Sequence, residues 1–393
     1  MKLGSPPAVV GGLPVRKDPL PYGWHTIDQA DIAAVIDTLE SGTLTGGPAI
    51  SRFEAALAER CGVEHAVALN TGTAALHVAV AALGVGQGDE VITTPLTFVA
   101  TANSVLYTGG RPVFADIGTD RNLDPQSVTD SVSGATRAVI AVDYSGLPAD
   151  IDAIRLAAPG LPVVVDGSHS LGGEVDGRPA GSLGDISTLS FHPVKHITTG
   201  EGGACLTDNA DLADRMRRLR NHGMTSDAAS RTSGNWRYDV TSLGNNYRIT
   251  DFQAALGLSQ LRRLDAVVSR RAMLASRYDE LLAEIPGLQL PPRPQGRVSS
   301  WHIYPVEVDP AAFGWSRDEV IDGLRAENIQ ATLHYPAVHS LSFYRELGYV
   351  YGVAPRAEAL CAALVTLPLF PGMSEADQDD VVVALERLAA WKR

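Results

Sequence analysis

Lys195 stands alone between an apolar, strand-like run over residues 186–191 and the loop "HITTGEGG". A surface lysine needs no such setting. A lysine that must swing, bond covalently and release again does. Upstream, the apolar run in "LPVVVDGSHSLGG" ends in Asp166, and His169 follows three residues later. A carboxylate just past a buried strand points into the crevice where α/β sheets bind ligands. "ALNTGTAALH" passes from strand to helix through Thr71, Gly72 and Thr73. Free N–H groups and the helix dipole favour a phosphate there. In "TTPLTFVATANSV", Phe98 lies between a strand end and a helix start, where its ring could cover a planar ligand. Taken singly, each has a plain alternative: a solvated lysine, a turn aspartate, a structural histidine, a helix cap, a core phenylalanine. Taken together, on successive βα units, they fit pyridoxal 5′-phosphate (PLP). That cofactor needs an anion site, a face to stack on, an acid partner for its ring nitrogen and an amine for a Schiff base.

The elements that must position these residues follow from the pattern. Between about residues 51 and 220, helical segments alternate with short apolar runs: "HAVAL", "EVITT", "RPVFADI", "RAVIAVDY", "LPVVVD", "ISTLSFH" and "GACLT". Such alternation predicts an α/β layer with a mostly parallel sheet. Residues 28–42 read as a capped amphipathic helix ending at glycine. Residues 250–285 read as one long helix, broken by "PGLQLPPRPQGR". The expected organisation is an N-terminal arm (1–25), a large cofactor domain (26–265) and a smaller α+β domain (266–393). The polar stretch 222–240 reads as a surface loop or as one that orders on substrate binding.

Composition narrows the function classes. The chain has 393 residues, 45% apolar and 20% charged, with net charge −13. The acidic balance argues against a broad nucleic-acid face. Three scattered cysteines without a CxxC pair suggest neither zinc nor a disulfide framework, and fit the cytoplasm. No signal peptide or membrane-length apolar run is expected. The absence of GxGxxG after an early strand disfavours a dinucleotide oxidoreductase.

The motifs "GGPAISRFEAALAE", "ALNTGTAALH", "GDEVITTPLTFVATANSV", "VVVDGSHSLGG", "SFHPVKHITTGEGG", "GNNYRITDFQAALGLSQL" and "HYPAVH" resemble the DegT/DnrJ/EryC1/StrS family of sugar aminotransferases. The resemblance runs from about residue 20 to the end. It implies the fold type I architecture of PLP-dependent transferases, with a mixed, mostly parallel sheet and a smaller C-terminal domain. It also implies roles. Lys195 would carry the cofactor and move the proton. Asp166 would face the pyridine nitrogen, Phe98 the ring, and His169 the O3′ side. Thr73, Ala74 and Ser190 would hold the phosphate. Asn246 and Arg248 would reach the cofactor phosphate of a second copy, making an obligate homodimer. His334, Tyr335 and His339 would line the sugar-nucleotide side. Gly167 and Ser168 stand where relatives often carry two alanines. Some relatives are dehydratases with histidine at the lysine position, so Lys195 favours transamination.

"TTPLTFVATAN" and "SFHPVK" most resemble the branch that makes UDP-4-amino-4,6-dideoxy-N-acetyl-β-L-altrosamine. The expected reaction is amination of a UDP-linked 4-keto-6-deoxyhexose, with L-glutamate as donor. The alternatives are a keto-cyclitol, a dTDP-ketosugar, or a non-catalytic protein of the same fold.

Overall fold

The structure, a computed structural model, describes residues 5–226 and 237–391. Its strands in chain order are β1 (His65–Leu69), β2 (Glu90–Thr93), β3 (Arg111–Phe114), β4 (Thr136–Val142) and β5 (Val163–Asp166). A short hairpin, β6 (Glu174–Val175) and β7 (Arg178–Pro179), precedes β8 (Ile186–Ser190) and β9 (Gly203–Thr207). Seven of them form one sheet in the order β1-β9-β8-β5-β4-β2-β3. Only β9 runs against its neighbours; β3, β2, β4, β5 and β8 pair parallel, and β1 is antiparallel to β9. This is the mixed, mostly parallel α/β sheet expected from the alternating pattern.

Both faces of the sheet are buried, which explains why its strands read as apolar runs rather than alternating ones. Val67, Ile140 and Val164 pack on one face against Ala75, Val78 and Met216. Ala68 and Ala204 face the other way, onto Phe53 and Leu57. Beyond the sheet, β10 (Leu288–Gln289), β12 (Tyr304–Val308) and β13 (Leu364–Leu367) form a small antiparallel sheet, while β11 (Arg297–Val298) pairs with β6. The N-terminal arm belongs to this part of the molecule. Val15 and Leu20 lie in one apolar cluster with Tyr304, Trp315 and Leu385. The fully buried Glu327 accepts the N–H groups of Ala8 (2.8 Å) and Val15 (2.6 Å).

One helical expectation needs correction. The pattern over 250–285 is two helices, Asp251–Leu261 and Leu264–Leu282. No glycine or proline marks the break. Tertiary contacts make it: Arg263 leaves helical geometry and donates to the buried Asp31 carboxylate at 2.6 Å, which Gln260 also reaches at 2.6 Å. The helix Gln29–Glu40 has the expected capping box, Asp28 with Asp31, and ends before Gly42. Its apolar stripe, however, is not buried by this chain: Ile32, Ile36 and Leu39 are exposed, as are nearby Trp24 and Ile27. Among the described residues no helix is long and apolar enough to cross a membrane, and no group of side chains could hold a metal ion. All three cysteines are free and buried.

Candidate active site

A cavity of about 460 Å³ opens at the carboxyl ends of the parallel strands. Val142, Asp166 and Ser190, the last residues of β4, β5 and β8, form its floor. Thr71, Gly72 and Thr73 enter from the helix that follows β1, and Thr97 and Phe98 from the loop after β2. Lys195 sits on the loop of the β8–β9 hairpin, closed by Phe191 N–H to Gly202 O at 2.9 Å. His302, His334 and Tyr335 complete the far wall, with Tyr22 from the arm. The structure therefore brings together Lys195, Asp166, Thr73, Phe98, His169, Ser190, His334 and Tyr335.

The polar groups have definite partners. Thr101 Oγ1 donates to Asp166 Oδ2 at 2.7 Å, and Ser168 Oγ to Oδ1 at 2.6 Å. His169 Nε2 lies 3.2 Å from the Tyr335 hydroxyl, and the Phe98 and Tyr335 ring centroids are 5.8 Å apart. Phe98 is 55% exposed, at the cavity mouth. Lys195 Nζ is 3.3 Å from His302 Nε2. Its surface is half-buried and turned to the cavity, yet protein encloses it. That burial brings its amine down to about 7; the Asp166 charge opposes the effect and Arg271 adds to it. Burial, then the Lys195 charge, holds His169 and His302 well below the usual histidine range and brings His334 to about 4. At neutral pH the cavity wall is thus a set of uncharged imidazoles around the Lys195 amine, with the carboxylates of Asp166 and Glu201 also in the lining.

Residues present fit a phosphorylated pyridine. The first N–H groups of a helix lack intrahelical partners. Here Thr71 takes up those of Ala74 (through Oγ1, 2.9 Å) and Ala75 (through its carbonyl, 3.1 Å), leaving Gly72 and Thr73 facing the cavity. Gly72 is required by close approach: a Cβ there would lie 2.8 Å from Ser190 Cβ and 3.0 Å from its Oγ. Helix start and serine hydroxyl thus form one anion cradle.

Four expected residues lie elsewhere. Ala74 is buried behind the cradle, with its N–H committed to Thr71. Asn246 and Arg248 do not line the cavity of their own chain; Asn246 bridges to Asn221, and Arg248 Nη1 donates to Asn221 Oδ1 at 2.7 Å. His339 is fully buried away from the cavity. It bonds Glu358 Oε1 at 2.8 Å and packs against Phe114 and Tyr351, so its side chain does not line the cavity of this chain. Conversely, sequence reading missed Thr101 and Ser168, which hold Asp166, and His302, which touches Lys195. Thr101 and Ser168 lay inside motifs already singled out. The lone histidine of "SSWHIYPVEV" carried no comparable signal.

Comparison with known proteins agrees with this geometry. The model of the DegT/DnrJ/EryC1/StrS aminotransferase family matches residues 25–386. The spore coat polysaccharide biosynthesis protein SpsC of Bacillus subtilis (strain 168) is 42% identical over 373 residues, covering 93% of this chain and 96% of SpsC. The structure of DesI, determined with its TDP-sugar product, is 36% identical with a TM-score of 0.89, covering 98% of this chain and 96% of DesI. Helicobacter pylori PseC, an aminotransferase of pseudoaminic acid biosynthesis, is 30% identical with a TM-score of 0.89, covering 95% of this chain and all of PseC (100%). Solved neighbours at 29–30% identity include both PLP and PMP forms of a putative sugar aminotransferase. On this evidence the chain belongs to the DegT/DnrJ/EryC1/StrS aminotransferase family and is a PLP-dependent sugar aminotransferase.

Proposed function

We propose that this enzyme aminates C4 of a UDP-linked 2-acetamido-4-keto-6-deoxyhexose, taking the amino group from L-glutamate. The observation that carries the residue roles is the joining of the Lys195 amine, the Asp166 carboxylate and the Gly72–Ser190 cradle in one cavity. The bound cofactor supplies an electron sink for the carbanion left when the donor Cα loses its proton. Lys195 Nζ accepts that proton and returns one on the other side of the exchange. An enclosed amine near 7 suits both directions at neutral pH. Asp166, held by Thr101 and Ser168, faces the pyridine nitrogen. The N–H groups of Gly72 and Thr73, with Ser190, hold the phosphate, and Phe98 covers the ring. His169 stands on the O3′ side, and His334 and Tyr335 flank the sugar. The similarity to PseC, an aminotransferase of pseudoaminic acid biosynthesis, and to SpsC, a spore coat polysaccharide biosynthesis protein, supports an amino-sugar product. A dTDP-ketosugar is the second reading, favoured by the higher identity to DesI.

The test is absorbance spectroscopy of PLP-loaded protein. L-glutamate should bleach the long-wavelength cofactor band, and the UDP-ketosugar should restore it, with the 4-amino sugar identified by mass and NMR. Bleaching without restoration by that sugar, but with restoration by a dTDP-ketosugar, moves the assignment to the second reading. Failure of glutamate to bleach the band removes the donor.

The proposal includes a homodimer. Ile32, Ile36 and Leu39 line one face of their helix in the open, with Trp24 and Ile27 alongside. A contiguous apolar surface of this kind marks an interface. The family resemblance assigns Asn246 and Arg248, which lie outside their own chain's cavity, to the second copy's phosphate. Ile36→Glu buries a charge in that interface, so dimer dissociation should strengthen by about tenfold or more, the equivalent of ~1.4 kcal/mol. Light scattering across a dilution series reads this, with PLP affinity falling in parallel. A variant as dimeric as the wild type would place the interface elsewhere.

A further inference from the structure

His302 is a fully enclosed histidine that the roles above do not use. It begins the segment leading into β12 and lines the cavity. Its ring is held on every side. The His169 ring centroid lies 4.3 Å away and that of His196 5.7 Å. The backbone N–H of His302 donates to Ser145 O at 3.0 Å, and that of Ser300 donates to Gly146 O at 3.0 Å. This close pairing depends on Gly146: its φ is +99°, and a Cβ there would sit 2.9 Å from the His302 nitrogen. From behind, the buried Arg271 guanidinium donates to the carbonyls of His302 (2.9 Å) and Leu369 (3.0 Å), and reaches that of Val194, next to Lys195, at 3.4 Å. One cation therefore ties the backbone of His302 to that of the lysine.

So held, the ring presents Nε2 to Lys195 Nζ at 3.3 Å, while Nδ1 is buried without a hydrogen-bond partner. A histidine kept only for core packing would leave no such contact on a reacting nitrogen. We propose that His302 is a further catalytic residue, whose Nε2 accepts a hydrogen bond from the Lys195 amine and sets the direction in which that amine presents its lone pair. The inference rests on the PLP reading of Lys195. Burial, reinforced by the charges of Lys195 and Arg271 and by neighbouring His169 and His196, keeps the imidazole uncharged. It therefore acts as acceptor for the N–H groups of both the amine and its ammonium form, not as a competing cation. Asp166, Arg271, His169, His196 and His334 are the other titratable or charged groups coupled to the pair.

The experiment compares the wild type with His302→Phe and His302→Gln. Cofactor-free protein is labelled with acetic anhydride across a pH series, and acylation of Lys195 is read by mass spectrometry. Phenylalanine removes the acceptor, which costs the buried ammonium more than the neutral amine, so the labelling midpoint should move to lower pH. Glutamine restores an acceptor oxygen and should move it back toward the wild type. In the loaded enzyme, kcat of His302→Phe should fall about 10- to 100-fold from misplacement of the amine. KM for the sugar should stay within twofold, and glutamine should recover part of kcat. A Phe variant with wild-type midpoint and kcat within twofold would overturn the proposal. So would a folded Gln variant no better than Phe, or, if Phe does not fold, a Gln variant that loses kcat with no change in midpoint. The labelling needs no cofactor, so it reads the His302–Lys195 contact even where PLP chemistry at Lys195 fails.

Discussion

Lys195→Met should reduce turnover by about 10⁴-fold or more and, in the cofactor-free protein, raise stability at neutral pH. The first effect follows from losing both the covalent anchor and the proton carrier; the acid–base share alone is worth about 10²- to 10⁴-fold. The second follows from proton linkage. Lys195 titrates at about 7 in the fold against 10.5 for an ordinary lysine. Between those values the unfolded chain binds more protons than the folded one. Stability therefore rises with pH across that window, and the penalty is greatest below 7. Each unit of difference corresponds to ~1.4 kcal/mol. The total outweighs the ~1 kcal/mol of the Lys195–His302 hydrogen bond that methionine forfeits. Thermal melts of both cofactor-free proteins should thus show the variant ahead at pH 7, the gap closing toward pH 10.5. Single-turnover assays with donor and acceptor separately read the catalytic loss. Activity within tenfold of the wild type would remove Lys195 from the mechanism. A gap that widens with pH would show that the lysine is not held as an enclosed amine.

What could be seen in advance depended on whether the physics was local. β1 and β9 have the bounds expected from "HAVAL" and "GACLT", because a strand buried on both faces writes itself as an apolar run. The end of β5 at Asp166 was equally visible, whereas the runs "RAVIAVDY" and "ISTLSFH" carry on two residues past the ends of β4 at Val142 and β8 at Ser190. The break between Leu261 and Leu264 was not visible, because its cause is Asp31, a buried carboxylate far away in sequence that draws in Gln260 and Arg263. The helix Gln29–Glu40 announced its amphipathic face correctly but not what covers it, since a period reports a stripe and not its partner. His302 and His339 show the same limit at the site. Both are buried histidines in the C-terminal part of the chain. One is delivered to Lys195 by a segment that Gly146 and Arg271 hold in place; the other is turned to Glu358. Their spacing in the sequence does not distinguish them. The resemblance to family motifs supplied roles for residues on the sheet, and packing decided which second-half residues reach the cavity.

Asp166→Asn should keep the fold and lower kcat by about 10²- to 10³-fold, the range found when one preorganised electrostatic partner is removed. The isosteric change separates charge from architecture. Ser168 N–H and Oγ–H both donate to Oδ1 (3.2 and 2.6 Å), and an asparagine oxygen in that place accepts both. On the Oδ2 side the asparagine amide would meet Thr101 Oγ1. That hydroxyl can turn to accept, because Thr97 Oγ1 at 2.6 Å offers it another acceptor. No buried polar group need be orphaned, so a large melting-temperature loss is not expected. The lost item is the negative charge. Without it the pyridine nitrogen has no anionic partner, and Lys195 loses the charge that opposes its desolvation. Its labelling midpoint should therefore fall below that of the wild type. KM for the sugar should change little, because His334 and Tyr335 are untouched. If kcat instead stays within tenfold while the midpoint is unmoved, Asp166 is a turn-forming aspartate that braces Ser168. In that case the arrangement of β5 and β8 would serve packing alone.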